Sequence, residues 1–342
     1  MIEPVERFRA RSGAPGVAVA LVPATGPVDV VARGERVRGG DDPVTPDDRW
    51  HIGSCMKAMT AVTVARFAER GELDWSAPVA SLFDGDADAG WRQVTLADVL
   101  VHTAGMPANP TADRMRAALT DPAPVTAQRA LLAADTLALP PSEPGRFRYS
   151  NLGYTLVGAA LERMTGKPFE DVLTDEVLRP LGITSGGFGP PGDGQPRGHR
   201  ARWRGFGRGP AIEPDSTSLT YPPDNPPLLS PAGRLHSTLG DWALFMRTFL
   251  DQPGRLIGPE SIERICTPPA GVATQQGMGW WIPTRGPLLD RVAYVQQGSN
   301  TRWVATAAVS RDRSRAALVA CNDGRTRMFG STVRLALDVL DS

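Results

Sequence analysis

Lysine is nearly missing from this chain: of its 37 cationic side chains only two, Lys57 and Lys167, are lysines, and the rest are arginines. Cysteine is scarce as well. The three present, Cys55, Cys266 and Cys321, are odd in number, far apart and never in a C-x-x-C pair, so neither a disulfide framework nor a zinc site is indicated. The four histidines show no H-x-x-x-H spacing, so no metal site or cofactor is expected. Net charge is lacking too. The 37 basic residues balance 37 acidic ones, which suggests neither nucleic acid nor an anionic membrane surface as a partner. No apolar run approaches the ~20 residues of a membrane span. The opening residues, MIEPVERFRARSGAPGVAVALV, mix acidic and basic side chains before a short strand-like run and do not read as a secretory leader. A cytoplasmic location is therefore expected.

What is present is enough apolar residue for a large core: 41% of 342 residues are hydrophobic and 22% charged, which suits two lobes or one large domain carrying an insertion. GVAVALV (16–22) and VDVVARG (28–34), joined by a Pro/Gly-containing turn, read as a β-hairpin. Three further β-branched or alanine-rich runs, RVAYVQQ (291–297), WVATAAVS (303–310) and RAALVACN (315–322), come near the other end, before a helical TVRLALDVL (332–340). Neither set alone makes a sheet of ordinary size, so the fold expected is α/β in the α+β sense: an antiparallel sheet assembled from both termini, with flanking helices and an inserted, mainly helical lobe. The division predicted is a sheet domain from 1–50 and 232–342 and a helical domain over 51–231. Its helices include CMKAMTAVTVARFAERG closed by Gly71, TLADVLVH begun by Thr95 with Asp98 three residues on, and LGYTLVGAALERMTG. Residues 184–231 are dense in Gly and Pro and are expected to form an ordered but irregular wrap or lid.

The placement of the scarce lysine is the first chemical signal. Ser54 and Lys57 form the single Ser-x-x-Lys of the chain, and on a helix positions i and i+3 share a face. The helix they open is apolar (Met56, Ala58, Met59, Ala61, Val62) and so should be buried, where an unpaired ammonium is costly unless it is partnered or neutral. A guanidinium stays protonated, whereas a desolvated lysine can lose its proton and take one from a serine hydroxyl. A partner for it is found at Tyr149-Ser150-Asn151, the one Tyr-x-Asn among four tyrosines. A phenol can shuttle a proton, and a carboxamide can hold the lysine or a substrate carbonyl.

Together, Ser54-x-x-Lys57, Tyr149-x-Asn151, VLVHTAGMP (99–107) and SPAGRLHSTLGDW (230–242) make the chain resemble the serine β-lactamase and DD-peptidase superfamily, in its class C-like branch of β-lactamase-related esterases and acyltransferases. The resemblance covers nearly the whole chain, and gaps of roughly ninety-five and one hundred and forty-five residues between the three motifs fit it. It implies that Ser54 is the acylated nucleophile, Lys57 its base and Tyr149 the proton relay, with Asn151 positioning them or the substrate. The third family motif falls on Gln296, Gly298 and Ser299, implying that Gly298 lets a substrate approach the strand and that the Ser299 and Ser54 amides form an oxyanion hole. Gln296 departs from the family: a lysine or histidine is expected there, and glutamine supplies no charge for a substrate carboxylate.

Three readings follow. The first is a serine esterase or acyltransferase on a small neutral acyl ester or thioester; the second, a β-lactamase or DD-peptidase; the third, a non-catalytic binding protein on the same fold. No G-x-S-x-G elbow is present to suggest an α/β-hydrolase. Cys55, His102 and His236 are read as structural, and Trp280, Trp281 and Trp303 as either core or acyl-pocket residues. Arg302, in SNTRW, is read first as a solvated loop arginine and second as a replacement for the missing cation.

Overall fold

The computed structural model describes residues 1–203, 205–251 and 256–342. Its strands, in chain order, are β1 (Gly16–Pro23), β2 (Asp29–Gly34), β3 (Arg49–His51), β4 (Gly187–Phe188), β5 (His199–Trp203), β6 (Phe206–Ala211), β7 (Leu235–Thr238), β8 (Val292–Ser299), β9 (Val304–Ser310) and β10 (Arg315–Cys321). Five of them form an antiparallel sheet in the order β2-β1-β10-β9-β8, so the two ends of the chain meet at the β1–β10 pair. This is the sheet expected from the two sets of β-branched runs.

Side-chain alternation assigns the two faces of that sheet. Val17 and Val19 of β1 join a cluster with Val5 and Phe8 of the helix Ile2–Ser12 and Leu335 and Val339 of the helix Arg327–Leu340. Ala18, Ala20 and Val22 face the other way, into the main core with Met56, Met59 and Trp242. Strand β9 is buried along its whole length, which explains its alanine content: small residues let helices pack on both faces. The helix Ile2–Ser12 was not read from the sequence, where its residues served only to argue against a leader.

The helix Met56–Glu69 is buried on almost every side, as its apolar sequence predicts. It ends at Arg70, and Gly71 just beyond takes the left-handed φ of +73°. Thr95 and Asp98 form the expected capping box, although the helix they open is only Leu96–Leu100. Ser150 caps the helix Asn151–Thr165, which Gly166 terminates at φ +70°. The Gly/Pro-rich 184–231 stretch is irregular as expected apart from three strands and a 3-10 turn at Pro227–Leu229 that runs into the short helix Ser230–Gly233: β4 joins β7 and β3 in a small sheet, and β5 and β6 pair with each other. Arg204, within that stretch, lies outside the described residues. Two features set up the site. Strand β3 leads straight into the Ser54 turn, and β8 lies at the sheet edge facing that turn.

Candidate active site

Ser54 sits in a 3-10 turn, Gly53–Cys55, that runs into the helix Met56–Glu69. Three glycines bring other backbones against this turn. Gly53 has φ +53°, and a Cβ there would lie 2.3 Å from the Ser299 nitrogen. A Cβ on Gly298 would lie 2.0 Å from the Ile52 carbonyl oxygen and 2.6 Å from the Ser54 nitrogen, and one on Gly233 would lie 2.8 Å from the Gly53 carbonyl. Gly298 was expected to make room for a substrate. Its bare face is instead filled by the chain's own Ile52–Cys55 backbone, so the glycine lets the sheet edge reach the serine turn. Gly298→Ala is accordingly expected to destabilise the fold by about 1–3 kcal/mol, the range for an overpacked core position. Thermal unfolding checks this, and a melting temperature equal to wild type would refute the close contact.

Lys57 lies one turn along and is 1% exposed. Its Nζ is 3.1 Å from Ser54 Oγ, 2.7 Å from Asn151 Oδ1 and 2.5 Å from the Ala232 carbonyl oxygen. The Tyr149 and Tyr154 rings lie 4.9 and 5.3 Å away. Burial lowers the lysine from 10.5 to about 7, so a large neutral fraction exists near neutrality. The contact set assigns its protons. The Asn151 and Ala232 oxygens are pure acceptors and take two N–H groups, so in the neutral amine the remaining lone pair points at the Ser54 hydroxyl.

The Tyr149 hydroxyl donates to Ser54 Oγ at 2.8 Å. His102 holds this tyrosine in place: its carbonyl accepts from the Arg148 amide, its Nδ1 accepts from the Ser150 amide at 3.1 Å, and its ring lies 4.5 Å from the Tyr149 ring. Burial, with Lys57 nearby, lowers His102 to about 3; it is a neutral, structural residue, as expected. Desolvation pushes the Tyr149 phenol up to about 12. Because 38% of the residue is exposed, solvent moderates that rise, but the direction keeps the phenol protonated at neutral pH. Asn151 has both ends of its amide engaged, Oδ1 with Lys57 and Nδ2 with Asn109 Oδ1 at 2.7 Å, and so acts on the lysine.

A cavity of about 400 Å³ opens onto Ser54, Lys57 and Tyr149, walled by Trp281, Leu288, Val295 and Val333 with Gln276 and Gln296 among them. A larger groove, of about 760 Å³, lies between the two terminal helices and includes none of the Ser54 cluster. Among the described residues lining the smaller cavity, Lys57 is the sole charged side chain. Gln296 is 2% exposed; its Nε2 donates to the Gly279 carbonyl at 3.0 Å, and its Oε1 finds no donor among the described residues. Arg302 does not replace the missing cation. Its guanidinium is turned to the carbonyls of Pro222 and Asn300, at 2.6 and 2.8 Å. Ser299 bonds through its hydroxyl to the Trp303 carbonyl while its backbone nitrogen abuts Gly53. Of the three tryptophans in question, Trp281 lines the cavity, whereas Trp280 and Trp303 are core residues. Among the described residues no group of three His, Cys, Asp or Glu is placed to hold a metal ion, and no helix is long and apolar enough to cross a membrane.

A sequence profile of the Beta-lactamase family matches residues 3–340. The chain belongs to the Beta-lactamase family. Penicillin-binding protein 4 of Amycolatopsis lactamdurans is 30% identical over 190 residues, 52% of this chain and 46% of that protein. The chain spans about half the length of the first curated relatives it matches. Solved structures share the fold: a D-amino acid amidase from Ochrobactrum anthropi SV3 has TM-score 0.78 at 18% identity, covering 100% of this chain and 99% of that one. A class C beta lactamase from Rhodobacter sphaeroides has TM-score 0.74 at 19% identity, with 99% and 98% covered. In this family member Asn109, His51, Asp224 and the Ala232 carbonyl also belong to the site or its support, and sequence reading did not single them out. SPAG, part of the quoted 230–242 stretch, was the one hint of Ala232. Asp224 sits in YPPDNPP, which read only as Pro-rich.

Proposed function

We propose that this Beta-lactamase-family protein is a serine hydrolase that forms an acyl-enzyme on Ser54, acting as an esterase or acyltransferase on neutral acyl esters or thioesters. The observation that carries the proposal is the buried Lys57 Nζ placed 3.1 Å from the Ser54 hydroxyl oxygen. In the reaction, Lys57 takes the hydroxyl proton while Ser54 Oγ attacks the acyl carbon. The resulting oxyanion lies between the Ser54 and Ser299 amides, at the start of a helix whose dipole favours negative charge. The C–O or C–S bond then breaks, and the leaving group departs with the proton passed on through Tyr149. Water or an acceptor alcohol, deprotonated through the same pair, releases the acyl group and restores the serine hydroxyl.

Substrate class follows from the cavity. Its apolar wall suits an uncharged acyl group, and with Gln296 bonded to Gly279 and Arg302 turned away, no described residue lining it other than Lys57 offers positive charge to a carboxylate. That weighs against the β-lactamase or DD-peptidase reading, which family membership keeps as the alternative. The engaged contacts of Lys57 weigh against a non-catalytic binder. The test is a panel of p-nitrophenyl esters, acyl thioesters and nitrocefin. The kcat/KM for a p-nitrophenyl butyrate or hexanoate ester is expected to exceed that for nitrocefin by at least about a hundredfold, equivalent to about 2.7 kcal/mol in the transition state. Nitrocefin as the better substrate would move the assignment to a β-lactamase.

A further inference from the structure

We propose that His51 is a positioning residue for the oxyanion hole, held by Asp224, which through Asn300 also fixes the strand that supplies the second amide. The inference rests on the acyl-enzyme reading above. His51 ends strand β3, is 1% exposed, and stacks on Trp303 with ring centroids 5.6 Å apart. Its Nδ1 accepts the Gly53 N–H at 3.1 Å, and its Nε2 lies 3.0 Å from Asp224 Oδ2. A carboxylate only accepts, so the imidazole proton is on Nε2 and the Nδ1 lone pair is free for Gly53. The tautomer is thereby fixed.

Asp224 is 3% exposed and serves both sides of the hole. Its Oδ2 also takes Arg234 Nε at 3.2 Å, while its Oδ1 takes Asn300 Nδ2 at 2.9 Å and the Asn225 amide at 2.8 Å. Asn300 in turn accepts from the Arg302 and Trp303 amides, each at 3.2 Å, closing the turn that follows Ser299. Burial pushes the carboxyl up, and His51, Arg234 and Asn300 more than offset this and hold it at about 2. One carboxylate thus ties the Gly53–Ser54 turn to the Ser299–Asn300 turn. Gly53 needs such a tie, because glycine at φ +53° has little intrinsic preference for one peptide orientation, and rotation there would swing the Ser54 N–H off the oxyanion. The arrangement has the order of groups found in a catalytic triad, but the imidazole acts on a backbone N–H and does not line the cavity that opens onto Ser54.

Two substitutions separate positioning from bulk support. His51→Asn keeps an acceptor where Nδ1 stood and loses the reach to Asp224. His51→Gln keeps a donor for Asp224 and removes the Gly53 acceptor. Competent sites are counted by fluorophosphonate labelling of Ser54, and steady-state ester kinetics and thermal unfolding are measured on each. His51→Gln is expected to lose about a hundredfold in kcat, the lower end for a lost oxyanion contact, with KM within about threefold of wild type. His51→Asn is expected to recover most of that loss despite unfolding at a lower temperature. The reverse ranking, or losses that follow the unfolding temperature in both variants, overturns the inference. A wild-type protein that neither labels nor turns over any ester overturns the acyl-enzyme reading, and this inference with it; an active wild type with the ranking reversed overturns this inference alone.

Discussion

Ser54→Ala is expected to lower ester turnover by about four to six orders of magnitude, the range over which removing a nucleophile leaves only binding and oxyanion stabilisation. The size of the effect comes from the reaction's dependence on one oxygen. Lys57 and Tyr149 both converge on Oγ, at 3.1 and 2.8 Å, so removing it leaves a base with nothing to deprotonate and a phenol with nothing to relay to. The fold should barely register the change. Lys57 keeps its bonds to Asn151 and the Ala232 carbonyl, and alanine is a good helix former at the start of Met56–Glu69. Intact-mass spectrometry after exposure to an activated ester is the direct check: wild type gains one acyl group and the variant gains none. Acylation that persists in Ser54→Ala would place the nucleophile elsewhere.

Lys57→Arg is expected to cost about three to four orders of magnitude and to remove the acid limb of the pH profile. In wild type the amine is lowered to about 7 by burial, so below that pH it is increasingly an ammonium with no lone pair for the serine proton. The kcat/KM value should therefore rise about tenfold per pH unit on the acid side and level off above about 7. A guanidinium stays charged throughout, cannot act as base, and must place a longer, planar head in a site sized for three ammonium bonds. Residual activity in Lys57→Arg should then show no inflection near 7. A wild-type profile flat from pH 5 to 9, or an arginine variant of near-normal rate, would remove the lysine from the base role.

Much of the fold was legible because its signals are local. Short β-branched or alanine-rich runs bounded by turn residues marked β1, β2, β8, β9 and β10, and the apolar sequence opened by Ser54 marked the buried helix Met56–Glu69. The helix Ile2–Ser12 escaped notice because only Val5, Phe8 and Ser12 of its residues are buried, too short a stripe to stand out. Within the site, Ser54 and Lys57 were readable from their spacing. Tyr149 and Asn151 were readable as the single Tyr-x-Asn that could partner the lysine, and their roles, like the place of Gln296, came from the motifs of a family that the chain resembles.

By itself, then, the sequence determined the five strands of the main sheet and the helices opened at Ser54 and Thr95, the scarcity of cations other than arginine, and the one lysine three residues from a serine, since each depends on residues within a turn or two of one another. Tertiary structure alone decided that Lys57 is desolvated and triply bonded, that Gly298 is bare so that β8 can meet the Ser54 turn, and that Asp224 ties His51 to Asn300. Those contacts join residues many tens to more than two hundred positions apart, and no local periodicity encodes which buried polar groups meet once the two ends of the chain close into one sheet.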